Sequence, residues 1–309
     1  MTGSRIIGAG VYRPSQKISA DELAERGQNV KGAPVNRYQA TDKETSVFMG
    51  TTAALHALEN AGIRAEDVDF LLYFSGIPDY DVPKDGNLIL KNIQARNAAA
   101  MNIDTACASF ISQLRMADLL ISSGQAETIL LVEVMSWLGR AIDIKGPYAT
   151  LGDGASAVVV SKANERHLVA VEEKTFPGHF DFITLTSSHV SGKKEYLQFS
   201  YDPSHTRFFL KEAPELLVSV CNSPGTMKID WLIAHQTGVS MLQKWGRSLG
   251  LPVEKVLHTY DEAANMSAVT IPFTLHDYLY EDKKIKPGDN LAFFAVGAGL
   301  HGAAMAWRF

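Results

Sequence analysis

Cysteine is scarce in this chain. Two of 309 residues, Cys107 and Cys221, carry a thiol, too few for a disulfide framework and without the spacing of a metal site. That scarcity points to a reducing compartment, and a cytoplasmic location is expected. No apolar run approaches the roughly 18 residues that begin to span a bilayer. The first residues, Met1 to Gly10, lack the basic start and long apolar core of a secretory signal, so no membrane partner is expected. Excess positive charge is missing too: 29 Lys and Arg stand against 34 Asp and Glu, a net charge of −5. With no long basic run, nucleic acid is not an expected partner. What is present, 46% apolar and 20% charged residues, is an ordinary soluble globular composition, long enough for one large or two fused domains.

The pattern alternates short apolar runs with helical periodicity. Arg5 to Gly10 reads as a strand with a glycine turn; no third glycine follows and Pro14 intervenes, which sets aside a dinucleotide fingerprint there. Residues 15–43 are polar, with a short helical pattern near Asp21 to Arg26. A helix is expected from Ser46 to Asn60, stopping at Gly62. Val68–Phe74 reads as a buried strand, residues 75–87 as a loop, and Leu88–Ala100 as a second helix. Thr128–Val134 reads as another buried strand. A loop with Gly139, Gly146 and Pro147 leads to Leu151-Gly152-Asp153-Gly154 and a strand to Val160.

The second half replays the first. A helix over Phe208–Val220 precedes the run Ile229 to His235, Asn265-Met266-Ser267-Ala268 opens a helix, and Leu291–Val296 is a strand like Thr128–Val134. The distance from Asp69 to Cys107 is 38 residues and that from Asp230 to Asn265 is 35. A duplicated βαβαβ-type unit is expected, in an α/β/α/β/α stack, with halves at 1–165 and 166–309 and a linker and insertion between Ser161 and Thr206. This register places Cys107 and Asn265 at equivalent helix N-termini facing one cleft, with His235 at the end of the strand before Asn265.

Chemistry concentrates at Asn102-Ile103-Asp104-Thr105-Ala106-Cys107-Ala108-Ser109-Phe110. A small-residue turn carries the cysteine, and Phe110, Leu114, Ala117 and Leu120 follow at helical spacing. A thiol at a helix N-terminus is held near unpaired N–H groups and the positive end of the macrodipole, which favours thiolate and nucleophilic catalysis. A buried inert cysteine is the competing reading.

Cys107 in Asp-Thr-Ala-Cys-Ala-Ser-Phe, Gly152-Asp153-Gly154-Ala155, Ile229-Asp230-Trp231-Leu232-Ile233-Ala234-His235-Gln236, Asn265-Met266-Ser267-Ala268 with Ile271-Pro272, and Gly297-Ala298-Gly299 together resemble ketoacyl-ACP synthase III, over nearly the whole chain. The resemblance implies a thiolase-like five-layered α/β/α/β/α duplicated fold. It also implies an acyl-thioester condensing enzyme of fatty-acid-related or specialised (natural-product) metabolism. Cys107, His235 and Asn265 would be its catalytic triad, with Cys107 acylated by a starter. His235 and Asn265 would hydrogen-bond the second substrate's thioester carbonyl as an enolate forms, and the Cys107 and Ala298 N–H groups would hold the acyl oxyanion. The implied substrates are acyl-CoA or acyl-ACP thioesters, with no permanently bound cofactor and no metal, and the implied assembly is a homodimer reached by the 75–87 loop, or a heterodimer with a sister subunit. Lys211, Lys244 and Arg247 fall at candidate carrier-contacting positions; solvated helix charge is the other reading, and Ser240 stands where the family has an arginine. Cys221 is expected to be structural or on the surface, and His301 to pack. Gly297 to Gly302 matches GxGxxG literally, but too few residues follow for a nucleotide-binding helix, and an active-site turn is expected.

Four departures from the family matter. Residues 24–40 hold no tryptophan for an adenine clamp, Gly238 replaces an asparagine, Ala263-Ala264-Asn265 replaces His-Gly-Asn, and Ala298 replaces a glycine. These point to a specialised relative with an unusual starter, acceptor or carrier. An acyltransferase on the same fold, passing the acyl group from Cys107 to an O, N or S nucleophile, is the alternative. A non-catalytic scaffold subunit would have lost the triad. Acyl-chain length depends on loops near 77–95 and 180–205 that periodicity does not fix.

Overall fold

Two five-stranded sheets with the same internal wiring organise the chain. The structure, a computed structural model, describes residues 3–145, 148–190, 194–202 and 204–309; Gly146 and Pro147 of the expected loop lie outside them. The first sheet holds β1 (Gly3–Tyr12), β2 (Phe70–Ser75), β3 (Ala99–Asn102), β4 (Thr128–Met135) and β5 (Gly154–Ala163), in the order β1-β5-β4-β2-β3. The second holds β6 (Leu168–Thr175), β7 (Trp231–Ala234), β8 (Val256–Leu257), β9 (Asn290–Gly297) and β10 (His301–Arg308), in the order β6-β10-β9-β7-β8. Each sheet pairs its first, fifth and fourth strands antiparallel and its fourth, second and third parallel. The duplication read from the sequence is thus present strand for strand.

Helices fill three layers. Helices α1 (Ser46–Ala61) and α2 (Gly86–Ile93) cover the outer face of the first sheet, where Ala53, Ala57 and Ile89 pack on Val132. Between the sheets lies α3 (Ser109–Ser122). Helices α4 (His205–Lys211), α5 (Ala213–Cys221) and α6 (Val239–Ser248) cover the second sheet, with Phe208, Leu217 and Trp245 on Phe294. Helix α7 (Thr270–His276) joins α3 in the middle layer. There Phe110, Leu114, Leu131, Ile271, Phe293 and Met305 share one core, and the Phe110 and Phe293 rings meet edge-on at 5.8 Å. Burying such a side chain stabilises the fold by about 1.5–3 kcal/mol relative to leaving it in water. β4 is buried along its whole length, as its unbroken apolar run requires of a strand covered on both faces. The arrangement is the expected α/β/α/β/α stack.

Four expectations need correction. Leu88–Ala100 is not one helix: α2 ends at Ile93, where Gln94 adopts φ +63° and caps it, and the chain re-extends as β3. The expected helix over Phe208–Val220 is two, α4 and α5, parted at Glu212 with Pro214 in the first turn of α5; proline offers no N–H to continue the ladder. The stretch from Ser161 to Thr206 is not all linker and insertion, because Leu168–Thr175 is β6, the counterpart of β1. The inserted part is a helical turn at 177–182 followed by the paired strands Ile183–Val190 and Lys194–Tyr201.

The repeat register is the fourth. Asp69 accepts hydrogen bonds from the Glu127 and Thr128 N–H groups, and Asp230 from that of Asn290, so these aspartates are counterparts. Cys107 lies 38 residues beyond Asp69, and the residue 38 beyond Asp230 is Ala268. The turns agree. Ala106 and Ser267 both take φ +53°, Ser109 Oγ donates to Ala106 O, and Thr270 Oγ1 donates to Ser267 O, each at 2.7 Å. Cys107 therefore pairs with Ala268, and Asn265 pairs with Asp104.

Candidate active site

The nucleophile turn follows β3. Asp104 Oδ1 accepts the Ala106 N–H at 2.9 Å and closes an Asx turn. Ala106 then adopts a left-handed conformation that costs a residue with a Cβ roughly 1–2 kcal/mol. Cys107 sits in the helical turn at 106–108 immediately before α3. Ser109 fixes the turn, accepting from the Thr105 N–H and donating to Ala106 O.

Two other elements close on the sulfur. The hairpin from β9 to β10 runs through Gly297-Ala298-Gly299-Leu300, so the GxGxxG match is a hairpin turn beside Cys107. Its Ala298 N–H faces Cys107 Sγ and helps to lower the thiol's pKa. From the second half, Ser267 Oγ donates to Sγ at 3.3 Å. His235, buried at the end of β7 and held by its N–H on Phe294 O, places its imidazole on the same sulfur. Its Nδ1 makes a long 3.4 Å contact with Thr270 Oγ1. Burial pushes the Cys107 thiol up, but the charge and hydrogen bond of His235, the Ser267 hydroxyl and the Ala298 N–H outweigh it and hold the thiol below its ordinary value. Cys221 lacks such neighbours, and burial alone pushes it up to about 12.

Asn265 is fixed as firmly. Its N–H donates to Thr150 O and its carbonyl accepts from Gly152 N–H, each at 3.0 Å. Its Oδ1 accepts the Ser267 N–H at 2.9 Å, which leaves the Nδ2 amide to donate elsewhere. Gly152 is required here, since a Cβ would lie 2.2 Å from Ala263 O. Asp153 anchors the same turn from below: its fully buried carboxylate accepts the Ala40, Leu138 and Gly139 N–H groups. Burial pushes it up to about 6, opposed by those bonds and by Arg37. Ala264, just before Asn265, has φ +63° and ψ −159°, a region that costs roughly 1–3 kcal/mol outside glycine. Glycine's extra chain entropy costs about 0.5–1 kcal/mol. Ala264→Gly is therefore expected to stabilise the protein by about 1 kcal/mol, raising the thermal midpoint by roughly 2–4 °C; an unchanged or lower midpoint in a melting curve refutes the strain.

The remaining site residues lie outward. Lys211, Lys244 and Arg247 are exposed on α4 and α6, two helices that touch. Gly238, three residues after His235, has φ +153° with open space where a Cβ would point. Sequence reasoning passed over Ser267 as a partner of Cys107 and Thr270 as a partner of His235. Ser267 is the residue before Cys107's repeat mate, a signal that needed the correct register. His276, Asp277 and Glu281 offer ligand atoms within 4.8 Å of one another, but the Arg13 guanidinium occupies both carboxylates, at 2.6 and 2.9 Å, so their charge is already answered.

Comparison with known proteins places the whole chain. Residues 101–175 match the family 3-Oxoacyl-[acyl-carrier-protein (ACP)] synthase III, and residues 224–309 its C-terminal family. A beta-ketoacyl-[acyl-carrier-protein] synthase III of Ehrlichia canis is 30% identical over 319 residues, covering 97% of each chain. Among solved structures, 3-oxoacyl-[acyl-carrier-protein] synthase III of Aquifex aeolicus VF5 superposes with a TM-score of 0.87 at 25% identity, covering 99% of this chain and 100% of its own. The priming beta-ketosynthase of the R1128 polyketide pathway shares the fold, with a TM-score of 0.85 at 22% identity, covering 99% and 96%. The chain belongs to the beta-ketoacyl-[acyl-carrier-protein] synthase III family and is a condensing enzyme of the acyltransferase class.

Proposed function

We propose that this enzyme joins two acyl groups by Claisen condensation through an acyl-Cys107 intermediate, with Cys107, His235 and Asn265 as its catalytic residues. The observation that carries the reading is the Cys107 sulfur, held below its ordinary pKa by the His235 imidazole, the Ser267 hydroxyl and the Ala298 N–H. The thiolate attacks a starter acyl thioester. The Cys107 C–S bond forms, the donor C–S bond breaks, and the departing thiol takes the proton that His235 held. The Cys107 and Ala298 N–H groups hold the oxygen that becomes negative. A second thioester then loses carbon dioxide, and the enolate oxygen is held by His235 and the Asn265 amide. The enolate carbon attacks the acyl carbonyl, a carbon–carbon bond forms, and the Cys107 thiolate leaves.

The substrates in this reading are CoA or ACP thioesters. Exposed Lys211, Lys244 and Arg247 suit an acidic carrier. No helix among the described residues is long and apolar enough to cross a membrane. A homodimer is supported by β3: all four of its residues are exposed, and it forms the free edge of the first sheet. An edge of this kind favours pairing with a second chain.

The test is product analysis. The enzyme is incubated with a panel of acyl-CoA and acyl-ACP starters and with malonyl-ACP carrying a carbon-13 label, and products are resolved by mass spectrometry. A product holding both acyl groups in one carbon chain is expected. An ester, amide or exchanged thioester as the sole product overturns condensation and selects the acyltransferase alternative.

A further inference from the structure

The two turns that meet at Cys107 are laced together behind the site by one carboxylate. Glu173, on β6 and with its side chain 12% exposed, receives Ser112 Oγ at 2.7 Å on Oε2 and Arg115 Nη1 at 3.3 Å on Oε1. His301 Nε2 lies 3.3 Å from Oε2. Two of these links, Ser112 and His301, reach different turns. Ser112 gives its only proton to Glu173, so its oxygen accepts from Thr105 Oγ1, 2.9 Å away; Thr105 opens the nucleophile turn. His301 begins β10 directly after the Ala298 turn and pairs with Gly297, and its Nδ1 is engaged by Thr175 Oγ1 at 2.9 Å. The lacing spans a tight contact, because a Cβ added to Gly297 would stand only 2.7 Å from Thr105 O and 3.1 Å from Cys107 N.

We infer that Glu173 is a positioning residue: through Ser112 and Thr105 on one side and His301 on the other, it fixes the Cys107 N–H relative to the Ala298 N–H, and so sets the two-donor oxyanion site. It touches no reacting atom. The carboxylate suits the task, since all its neighbours bring protons. Burial raises it, but His301, Ser112 and Arg115 outweigh burial and hold it below the usual carboxylate range, so it stays an acceptor. A glutamine here would present an amide N–H₂ to donors. The inference rests on the proposed acyl-Cys107 chemistry.

Two reactions of the same thiol separate positioning from plain structure. Alkylation of Cys107 by iodoacetamide, followed at a pH high enough to ionise the thiol fully in every variant, needs the thiolate alone. Acylation by a thioester needs the thiolate and both N–H groups. In the full-length protein, Glu173→Gln and His301→Ala are expected to slow acylation by about tenfold or more while changing alkylation less than about twofold. His301→Gln, which restores an N–H toward Glu173, is expected to recover most of the acylation rate. If the variants lose both reactions in parallel, or neither, or if His301→Gln behaves as His301→Ala, the positioning role is wrong. The wild-type arm keeps the two ideas apart. Wild type that is alkylated but never acylated counts against acyl-Cys107 chemistry itself, whereas wild type and Glu173→Gln acylating equally counts against the lacing alone.

Discussion

Replacing Cys107 by alanine is expected to leave a folded protein that gains no acyl mass from any thioester, while the wild type gains one acyl group. The sulfur is the point on which His235, Ser267 and Ala298 converge. Cys221 is no substitute, because burial pushes it to about 12 and leaves almost no thiolate at neutral pH. Iodoacetamide at pH 7 should accordingly modify one site. Its rate should hold at pH values where an ordinary thiol loses its thiolate, and fall only as the pH drops through the lowered Cys107 value. Asn265→Ala divides the reaction at its midpoint. The acyl adduct on Cys107 should still form, within a few-fold of the wild-type rate, while condensation falls by roughly 10²–10³-fold through loss of an enolate donor. The measurement is intact-protein mass beside product formation. An adduct on Cys107→Ala, or a variant of Asn265 that condenses at full rate, would overturn the assignment.

The fold was legible wherever a segment's own pattern decides its state. The unbroken apolar run of β4 and the Gly62 stop of α1 are such cases. The errors lie where tertiary contacts decide. Gln94 ends α2 in a conformation usually left to glycine or asparagine, and nothing local announces it. β6 carries Glu172, Glu173 and Lys174 within eight residues, because it is an edge strand with one face toward α3 and one toward α5, so its apolar signal is weak. At the site, Cys107 and His235 stand out by chemistry and by their place at element ends. The repeat register is off by three residues because Asn265-Met266-Ser267-Ala268 and Cys107-Ala108-Ser109 both stand at the start of a helical pattern, whereas the 38-residue interval points to Ala268. The pairing of Asn265 with Asp104 has a physical sense: both close the same Asx turn, and the second half keeps an amide whose spare Nδ2 can donate. Ser267 as a neighbour of Cys107, and Glu173 behind the site, were not legible, since their roles depend on backbone approach between halves; Ala298 was named only through the family resemblance.

That approach makes Gly297 a sensitive position outside the catalytic side chains. A Cβ on it would stand 2.7 Å from Thr105 O, 3.0 Å from Ala106 Cβ and 3.1 Å from Cys107 N. Two of the three are backbone atoms, which have no rotamer to escape by, so either the end of β9 or the nucleophile turn must retreat. Overpacking of this kind costs typically 1–3 kcal/mol, a loss of several degrees in thermal midpoint that the fold can absorb. The chemistry is less tolerant. The retreat separates the Cys107 and Ala298 N–H groups, and a displacement approaching 1 Å costs about 10²-fold in rate. Gly297→Ala is therefore expected to lower acylation of Cys107 by about 10²-fold with only a modest stability loss. Gly178→Ala, where a Cβ meets nothing within 4 Å, should change neither by a measurable amount. Acylation kinetics and melting curves on the two variants decide it. If Gly297→Ala acylates at the wild-type rate, the nucleophile and oxyanion turns are not held in register by this contact, and the placement of the Ala298 N–H as an oxyanion donor loses its support.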